Sequence, residues 1–452
     1  MDGQAHGQAE LPSVDGGEPR MHRDAEGQIS AWWRLPRAPA TASAGHLILG
    51  DDDAARPTRH EEQIASTVVR GLDAFMHLDR VADPSVETHG GGPRVDGVAH
   101  RSTIAAWVTL ARGMSQPPAA PADAGERLFT GIQPSGASHL GNYLGAQANY
   151  VALQDRYEAI YAIVDYHALT TVHDGDTLRG LTHEMVLDML AVGLDPTRCA
   201  IVRQSDLPEH AELCWIFDTV VPVSWLERNP TYKAALAEGK ENSAGLLNYP
   251  VLQAADIVIY KATIVPVGRD QDAHLELSRE IVRAFNRRYG EIFAEPKAVY
   301  TDASVVLGTD GKRKMGKSAG NTIPIFAEPD EIRRLVMSMV TDPLRIKRTD
   351  PGRPEVCNVC QLHRFFGGDY LEIHDGERTA RTGCVDTKKL LAERIIEFFR
   401  PMRDRRRELA ADAGIVEETL AAGAAHVRPL LAATMTEVKA AVGIGPRQKA
   451  PT

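Results

Sequence analysis

The sequence predicts an α/β domain with a parallel sheet, followed by a helical region. From residue 127 onward, short apolar runs alternate with amphipathic segments, which is typical of a parallel sheet flanked by helices. Beyond about residue 321 only helical patterns return. With 43% apolar and 25% charged residues in 452, the composition is that of an ordinary globular protein. We therefore expect a catalytic or binding domain over residues 127–322 and a helical domain over 323–452.

Individual elements follow from the hydrophobic pattern. Apolar runs predict strands at 127–131, 160–165, 199–204 and 263–267. Apolar residues spaced by three and four predict helices over about 178–192 and 277–285, and the later patterns predict helices over 328–340, 388–411 and 417–442. We expect the last helix to pack back on the first domain.

Residues 1–126 are rich in Gly, Pro, Ala, Asp and His and contain breaks such as GGGPR and SQPPAAPADAG. This composition predicts a largely disordered extension in which only short pieces, such as 104–110, order locally. Met114 stands just before the Pro-rich spacer, which suggests the hypothesis that translation starts there. Peptides from upstream of Met114 in the native protein would contradict it.

Charge, cysteine and hydropathy patterns narrow the function classes. The formal net charge of −10 excludes a uniformly basic surface, so any RNA binding requires local basic patches. No apolar run approaches the roughly 20 residues that span a bilayer, and no signal-peptide pattern begins the chain. The five cysteines suit a reducing compartment. We expect a cytoplasmic protein with no membrane partner.

The segment FTGIQPSGASHLGNYLGAQANY carries the first candidate site. A strand ends near Phe129, small and turn residues follow, and a helix is predicted to begin near Leu140 with His139 at its start. Unpaired backbone N–H groups and the helix dipole at such a start favour phosphate binding. A purely structural β–α turn has the same pattern, so this segment alone leaves both interpretations open.

The segment GTDGKRKMGKSAGN carries the second candidate site, because four basic residues surround its glycines. A solvated basic loop is one interpretation. Residues 311–318 also fit the P-loop pattern G-x-x-x-x-G-K-S. A P-loop must open directly into a long helix, but AGNTIP follows Ser318 and cannot form one. The sequence therefore disfavours a P-loop NTPase.

Together the two segments resemble the HIGH and KMSKS signatures of class I aminoacyl-tRNA synthetases, here as HLGN at 139–142 and KMGKS at 314–318. Between them GIQPSG, IVDYHALT, NYPVLQAADI and VPVGRDQDAHLELSREIVRAFNRRYG resemble the tryptophanyl enzymes in the same order. The resemblance runs from about residue 127 to the C-terminus. It implies a Rossmann-like, doubly wound parallel sheet with a C-terminal helical domain that binds the tRNA anticodon. It also implies ATP, Mg²⁺, L-tryptophan and tRNA(Trp) as ligands and a homodimer, with no resident metal.

The resemblance assigns roles to residues of the ATP site. Lys314, Lys317, His139 and Asn142 correspond to catalytic positions that stabilise the triphosphate. The full set that it implies for ATP is Gln133, Gly141, Asn142, Lys233, Gly268, Asp270, Lys314, Met315, Gly316, Lys317 and Ser318. For Lys233 a structural salt bridge is an equal alternative. The family's serine is replaced by Gly316, which keeps both lysines but adds backbone freedom.

The resemblance also assigns an amino-acid pocket, with Asp256 as acceptor for the indole N–H and Phe129 as the packing ring. The implied set for tryptophan is Phe129, His167, Tyr249, Gln253, Asp256 and Gln271. Gln253 replaces a methionine that is common in the family. An alternative for Asp256 is a helix N-terminal carboxylate, given the apolar run IVIY behind it. The neighbouring alanines favour the pocket, since they leave room for a large ring.

Two further features remain open in the sequence. Cys357, Cys360 and Cys384 resemble a four-cysteine cluster of some tryptophanyl enzymes, but Thr387 and Glu377 stand where further cysteines are expected, so three thiolates make an incomplete site. A basic run on a predicted helix is a candidate tRNA surface: Arg403, Arg405, Arg406 and Arg407. An exposed, salt-bridged helix is equally compatible with it, because acidic residues are interleaved.

Rival functions share parts of this pattern. A tyrosyl-type synthetase would have both signatures but a pocket arranged for a phenol hydroxyl. A P-loop NTPase, or a nucleotide-binding regulator without ligase activity, belongs to a different class.

Overall fold

The computed structural model describes residues 126–268, 271–300 and 305–445, together with the backbone of residues 20–23 and 29–32. The predictions for residues 104–110, for a start at Met114 and for most of the first 125 residues lie outside the described residues. The chain divides into two compact units, Met1–Arg56 and Pro57–Thr452. In the first unit β1 (Arg20–Arg23) pairs antiparallel with β2 (Ile29–Trp32), a hairpin that the sequence analysis did not predict.

The second unit contains a five-stranded, entirely parallel sheet in the order β5-β4-β3-β6-β7. Its strands are β3 (Arg127–Ile132), β4 (Glu158–Ile163), β5 (Ala200–Arg203), β6 (Ile264–Val267) and β7 (Lys297–Tyr300). The four predicted strands are confirmed, and the α/β fold with a parallel sheet is confirmed. Strand β7 was not predicted, because it is a four-residue edge strand whose side chains are half-buried or exposed.

The strand order fixes where a ligand can bind. From β3 the chain builds outward through β4 to β5, and it then returns to the other side of β3 with β6. In open parallel sheets, ligands bind beyond the carboxyl ends of the strands at the point where the strand order reverses. The fold therefore places the candidate cleft at the ends of β3 and β6.

Helices cover both faces of the sheet and then form the C-terminal region. The first begins as α1 (Leu140–Asn142), continues through a π turn (Tyr143–Gln147) and ends as α2 (Ala148–Leu153). The helices up to the last sheet strand are α3 (Asp165–Ala168), α4 (Gly175–Val192), α5 (Glu209–Asp218), α6 (Val223–Glu227), α7 (Pro230–Ala237), α8 (Ala244–Val258) and α9 (Asp272–Tyr289). Those after it are α10 (Pro329–Ser338), α11 (Asn358–His363), α12 (Tyr370–Arg378), α13 (Cys384–Ala410) and α14 (Ile415–Val442). None of the described helices combines the length and apolar character needed to cross a membrane.

Local chemistry explains where α4 begins and ends. The Asp174 side chain accepts a hydrogen bond from the backbone N–H of Thr177 and caps the first turn. Gly193 ends the helix in the left-handed conformation, with φ of 118°, which glycine adopts without strain. The predicted apolar face, which includes Met185 and Met189, is buried against the sheet.

The last helix, α14, packs directly on strand β5. A Cβ atom at Gly423 would lie 2.0 Å from the carbonyl oxygen of Ile201, so the close approach of helix and strand requires glycine. Val427 and Leu431 lie in the same apolar cluster as Val202 on β5. A second cluster joins the first helix to α10 and α13, so the apolar core crosses the predicted boundary at residue 322, and that boundary remains a prediction.

Candidate active site

A cleft of about 1480 Å³ opens at the carboxyl ends of β3 and β6, where the strand order reverses. Residues of both signature segments line it, and so do residues of α8 and the start of α9. The predicted site residues in its wall are Phe129, Gln133, His139, Gly141, Asn142, His167, Tyr249, Gln253, Asp256, Gly268, Gln271, Lys314, Met315, Gly316, Lys317 and Ser318. Two segments 175 residues apart in the chain (314 minus 139) therefore meet in one cleft.

The first signature forms a rigid helix start. His139 is the N-cap of α1: its Nδ1 accepts a hydrogen bond from the N–H of Asn142, whose side-chain oxygen accepts from the N–H of His139 in return. Burial and the positive charge of Lys317 lower the pKa of His139 to about 4, so its ring is neutral at pH 7. The helix start thus presents backbone dipoles and a neutral ring to the cleft.

The second signature lies against the first. Lys317 Nζ donates to the carbonyl oxygen of Gly136 at 2.7 Å and to Ser135 Oγ at 3.2 Å. Burial lowers the pKa of Lys317, an effect that the charge of Asp188 opposes. A Cβ atom at Gly141 would lie 3.2 Å from the Cβ of Met315, so a glycine lets the two segments approach closely. A lysine ammonium is therefore positioned beside the turn that precedes the helix start.

The context of a P-loop is absent from this part of the structure. A single 3₁₀ turn, Lys317–Ala319, begins at the second of the two lysines, and Gly320 ends it in the left-handed conformation. The backbone at Gly316 has φ of −163°, which any residue can adopt, so the observed conformation does not itself require glycine there.

Asn321 fixes the conformation of the second signature, residues 314–318, which we call the lysine loop; the sequence analysis missed this role. This buried side chain accepts from the N–H of Gly316 at 2.9 Å and donates to Asp310 at 3.1 Å. A Cβ atom at Gly308 would lie 2.0 Å from its amide nitrogen, so only glycine leaves room for it. The backbone N–H of Lys312 helps to hold the pKa of Asp310 well below its usual range. No local pattern marks these residues, because the contact joins positions 13 apart (321 minus 308).

Asp256 is a buried acceptor at the centre of a polar network. Its Oδ1 accepts from Gln204 Nε2 and pairs with His210 Nδ1, both at 2.7 Å, and its Oδ2 lies 2.9 Å from His167 Nε2. Burial opposes ionisation, but the hydrogen bonds of His167 and His210 outweigh it and bring the pKa to about 2. The side chain lies in the last turn of α8, so the helix N-terminal alternative is wrong.

The carboxylate of Asp256 retains acceptor capacity. An ionised carboxylate offers about four lone-pair positions, and the three neighbours occupy three of them. Oδ2 therefore has one position left, and Asp256 is part of the cleft wall. Phe129 lies in the same wall, with its ring stacked on Tyr260 at 5.4 Å between centroids. An apolar ring and a charged acceptor thus border one part of the cleft.

We call the part of the cleft bordered by Phe129 and Asp256 the slot, and a row of hydrogen-bonded polar side chains lines the same cleft. Tyr249 Oη lies 2.8 Å from His274 Nε2, and His274 Nδ1 lies 3.1 Å from Gln271 Oε1. Tyr249 and Gln271 were assigned to the amino-acid pocket, whereas His274, which is buried between them, was not. Tyr249 Oη and Gln271 Oε1 are oxygen atoms suited to a polar or cationic group of a ligand.

One predicted ATP-site residue among the described residues, Lys233, is not in the cleft wall. Lys233 is exposed on α7 and is not part of the wall, whereas Lys240, which the sequence analysis did not single out, is part of it. Asp270 lies outside the described residues. The assignment of Lys233 to ATP therefore finds no support in the described geometry.

The predicted basic surface on α13 is not formed by all four arginines. Arg403 is buried and donates to the carbonyl oxygen of Ile396, and Arg406 pairs with Asp188 at 2.7 Å. Arg405 is half-buried. Arg407 is exposed but pairs with Glu328 at 2.8 Å. The expectation of one exposed basic patch formed by all four arginines is corrected, because Arg403 is buried and Arg406 pairs with Asp188, 218 residues earlier in the chain.

The cysteine region contains a buried ion pair. Glu377, which stands where the four-cysteine pattern expects a cysteine, pairs with Arg345 and accepts from the Thr387 hydroxyl. Cys384 Sγ lies 3.9 Å from the same guanidinium. Among the described residues no group of three His, Cys, Asp or Glu side chains is arranged to hold a metal ion.

The geometry supports chemistry that relies on positioning and charge. Two lysines, a helix start and a neutral histidine surround one part of the cleft, and an apolar slot with a buried carboxylate forms another. Lys314 and Lys317 supply positive charge to the cleft, while Phe129 and Asp256 supply an apolar surface and a hydrogen-bond acceptor. Such an arrangement can bind a polyphosphate and an aromatic molecule side by side.

Comparisons with known proteins agree with this geometry. Residues 124–400 match the family model for class I tRNA synthetases (W and Y). A tryptophan–tRNA ligase of Deinococcus radiodurans is 45% identical over 324 residues, which cover 70% of this chain and 98% of that protein. One from Thermotoga maritima is 42% identical over 326 residues, covering 70% and 99%. A crystal structure of tryptophanyl-tRNA synthetase from Campylobacter jejuni, complexed with ADP and tryptophan, has a TM-score of 0.66 at 35% identity and covers 70% of this chain and 100% of its own.

Proposed function

This chain belongs to the tryptophanyl family of class I tRNA synthetases, and from that premise we propose how its cleft performs the two reactions. The protein is a tryptophan–tRNA ligase: it activates L-tryptophan with ATP to tryptophanyl-adenylate and transfers the amino acid to tRNA(Trp). The observation that carries this conclusion is the single cleft in which the lysine loop and the Asp256 slot meet.

In adenylation, the tryptophan carboxylate attacks the α-phosphate of ATP and pyrophosphate leaves. No covalent nucleophile of the protein is needed, so rate enhancement comes from alignment of the reactants and neutralisation of the leaving group. Lys314 and Lys317 act on the leaving phosphates. The N–H groups of α1 from Leu140 to Asn142 support the triphosphate, and the close contact at Gly141 lets the lysine loop reach it.

The remaining ATP contacts are assigned by their place in the wall. Gln133 follows β3, and Gly268 follows β6, so both lie at the point where the strand order reverses. Met315, Gly316 and Ser318 complete the lysine loop. Mg²⁺ would accompany ATP and would neutralise part of the charge on its phosphates. Lys240 is a better candidate for a phosphate contact than Lys233, because it lines the cleft and Lys233 does not.

Tryptophan lies in the slot between Phe129 and Asp256. Its indole N–H is the only polar group of the ring, and it donates to the free position on Asp256 Oδ2. Gln253 lines the slot one turn before Asp256, and His167 holds the carboxylate from the other side. Tyr249 and Gln271 meet the amino-acid backbone. A carboxylate that is ionised at pH 7 accepts a hydrogen bond but cannot donate one, so it selects for a ligand with an N–H or O–H group at this point.

A phenol hydroxyl also carries a donor, so Asp256 alone does not separate a tyrosyl enzyme from this one. The similarity to tryptophan–tRNA ligases, at 45% and 42% identity, is what favours tryptophan. The site rejects analogues that lack a donor, because they leave a buried carboxylate position unpaired.

For tRNA, the exposed Arg407 and the half-buried Arg405 on α13 are the members of the predicted patch that remain candidates. Arg403 and Arg406 instead form contacts within the protein, with the carbonyl oxygen of Ile396 and with Asp188 respectively. For assembly, we propose that the homodimer contact includes Trp215 on α5, a large apolar side chain that is 71% exposed. Trp215→Asp should give a monomer in light scattering, whereas a dimer of unchanged mass would contradict this contact.

The experiment that tests the second reaction is aminoacylation. Purified protein, ATP, Mg²⁺ and total tRNA are incubated with labelled tryptophan, and label in acid-precipitable, base-labile form is counted. Charging with tryptophan and with no other amino acid is the expected result. Adenylate formation without charging of any tRNA would remove the ligase function and leave a nucleotide-dependent activating enzyme.

A further inference from the structure

A buried carboxylate outside the cleft wall connects the C-terminal region to the phosphate-binding turn. Asp188 lies on α4 and is 1% exposed. Its Oδ2 accepts from the backbone N–H of Ser138 at 2.9 Å, and its Oδ1 accepts from Arg406 Nε at 2.7 Å. Ser138 directly precedes His139, the N-cap of α1. One side chain thus joins α4, the turn after β3 and α13.

The turn at Ser138 is fixed from every side. Its N–H is held by Asp188, its carbonyl oxygen accepts from the N–H of Ile325, and its hydroxyl accepts from Gln147 Nε2 at 2.8 Å. The bonds at the N–H and at the carbonyl determine the path of the backbone into His139. The orientation of the first N–H groups of α1 therefore depends on Asp188.

Asp188 is in turn held by Arg406. The Arg406 guanidinium lies over the ring of Phe326 at 5.2 Å from its centroid. Its Nη2 pairs with the Glu184 carboxylate. Three contacts leave the guanidinium one orientation, with Nε directed at Asp188. The negative charge of Asp188 also acts on Lys317, where it opposes the effect of burial on the pKa of that lysine.

From this geometry we infer that Asp188 and Arg406 are positioning residues for adenylation. Arg406, on helix α13 of the C-terminal region, holds the Asp188 carboxylate, and Asp188 holds the backbone turn that presents α1 to the triphosphate. The C-terminal region thereby completes the ATP site without touching ATP. This inference rests on the proposed function.

The test compares ATP and tryptophan parameters in variants of this contact. Arg406→Gln and Asp188→Asn should each lower kcat/KM for ATP in pyrophosphate exchange by about 10- to 100-fold, because small misplacements of a positioning element carry costs of that order. The Kd for tryptophan, measured by calorimetry, should change less than about twofold. The double variant should lose no more than either single variant, since both remove one contact.

Arg400→Gln is the matched control. Arg400 lies on the same helix and is exposed, and its ion pair is with Glu397 one turn away, so kcat/KM for ATP should stay at the wild-type value. Arg406→Lys is the milder variant to use if Arg406→Gln does not fold. It keeps a charge beside Asp188 but not the planar fork, so an intermediate loss is expected.

A purely structural contact gives a different result. If Arg406→Gln, or Arg406→Lys where the first does not fold, lowers the melting temperature but keeps the wild-type kcat/KM for ATP, the inference is overturned. A wild-type chain without tryptophan-stimulated exchange would instead contradict the proposed function. In that case the same variants are compared by their Kd for a non-hydrolysable ATP analogue, and unchanged values overturn the positioning role.

Discussion

Replacing Asp256 with asparagine tests the amino-acid slot at its one polar contact. We choose asparagine over alanine, because three side chains form hydrogen bonds to Asp256: the buried Gln204 and His210, and the partly buried His167. Alanine would leave all three unpaired and would confound binding with stability. The amide keeps the shape and one acceptor oxygen, and His167 can accept from the new NH₂ group by changing its tautomer.

The size of the effect follows from the lost contact. A hydrogen bond from the indole N–H to a buried charged acceptor contributes about 1.5–3 kcal/mol. Asp256→Asn should therefore lower kcat/KM for tryptophan by about ten- to two-hundred-fold, at 1.36 kcal/mol per factor of ten. The matched substrate is 3-benzothienylalanine, in which sulfur replaces the indole N–H. It has no donor to lose, so its kcat/KM should change little or rise.

The assay is pyrophosphate exchange with both amino acids, for wild type and variant, with a melting curve for each protein. The ratio of kcat/KM for tryptophan to kcat/KM for 3-benzothienylalanine should fall toward one in the variant. An unchanged ratio together with a lowered melting temperature would show that Asp256 supports the fold alone and does not contact the substrate.

Three further predictions concern the lysine loop and a buried histidine. Lys317→Ala should lower kcat of exchange by about 10² while leaving the Kd for tryptophan within about twofold, because the ammonium acts on the leaving phosphates; an unchanged kcat with a raised KM would make the loop a docking element. Gly308→Ala should destabilise the protein by about 1–3 kcal/mol in denaturant titration, since its Cβ would lie 2.0 Å from Asn321 Nδ2, whereas Gly316→Ala, with its nearest atom at 3.8 Å, should cost far less. Equal costs would refute the clash. Burial lowers the pKa of His363 to about 4, so between about pH 6.5 and pH 4 the unfolded chain binds a proton here and the folded chain does not. The free energy of unfolding should therefore fall by about 3 kcal/mol from this group over that range. His363→Gln should flatten the dependence of unfolding free energy on pH, and equal slopes for wild type and variant would contradict this.

The sequence was sufficient to predict the elements whose signal is local. Four of the five parallel strands were predicted because each is a buried apolar run, and the start of α1 was predicted because small residues and His139 precede it. Strand β7 has no such run, since its side chains are half-buried or exposed. Spacing and resemblance together were enough to bring the two signatures to one cleft.

What sequence reasoning could not supply are contacts between distant positions. Arg406 was interpreted as part of a basic surface, but it pairs with Asp188, which lies 218 residues away and also holds the N–H of Ser138. Asn321 was missed because its function is visible only once Gly308 and Gly316 surround it. Likewise, nothing near Asp256 in the chain shows that His167, 89 residues away, holds its Oδ2. In each case the deciding partner is set by the fold.

The most direct test of the central claim is pyrophosphate exchange by the wild-type protein with each of the twenty amino acids in turn. The lysine loop and the Asp256 slot together require exchange that depends on ATP and is stimulated by tryptophan far above every other amino acid, tyrosine included. Exchange stimulated by tyrosine and not by tryptophan would contradict the assignment of the slot, and exchange with neither would contradict the activity itself.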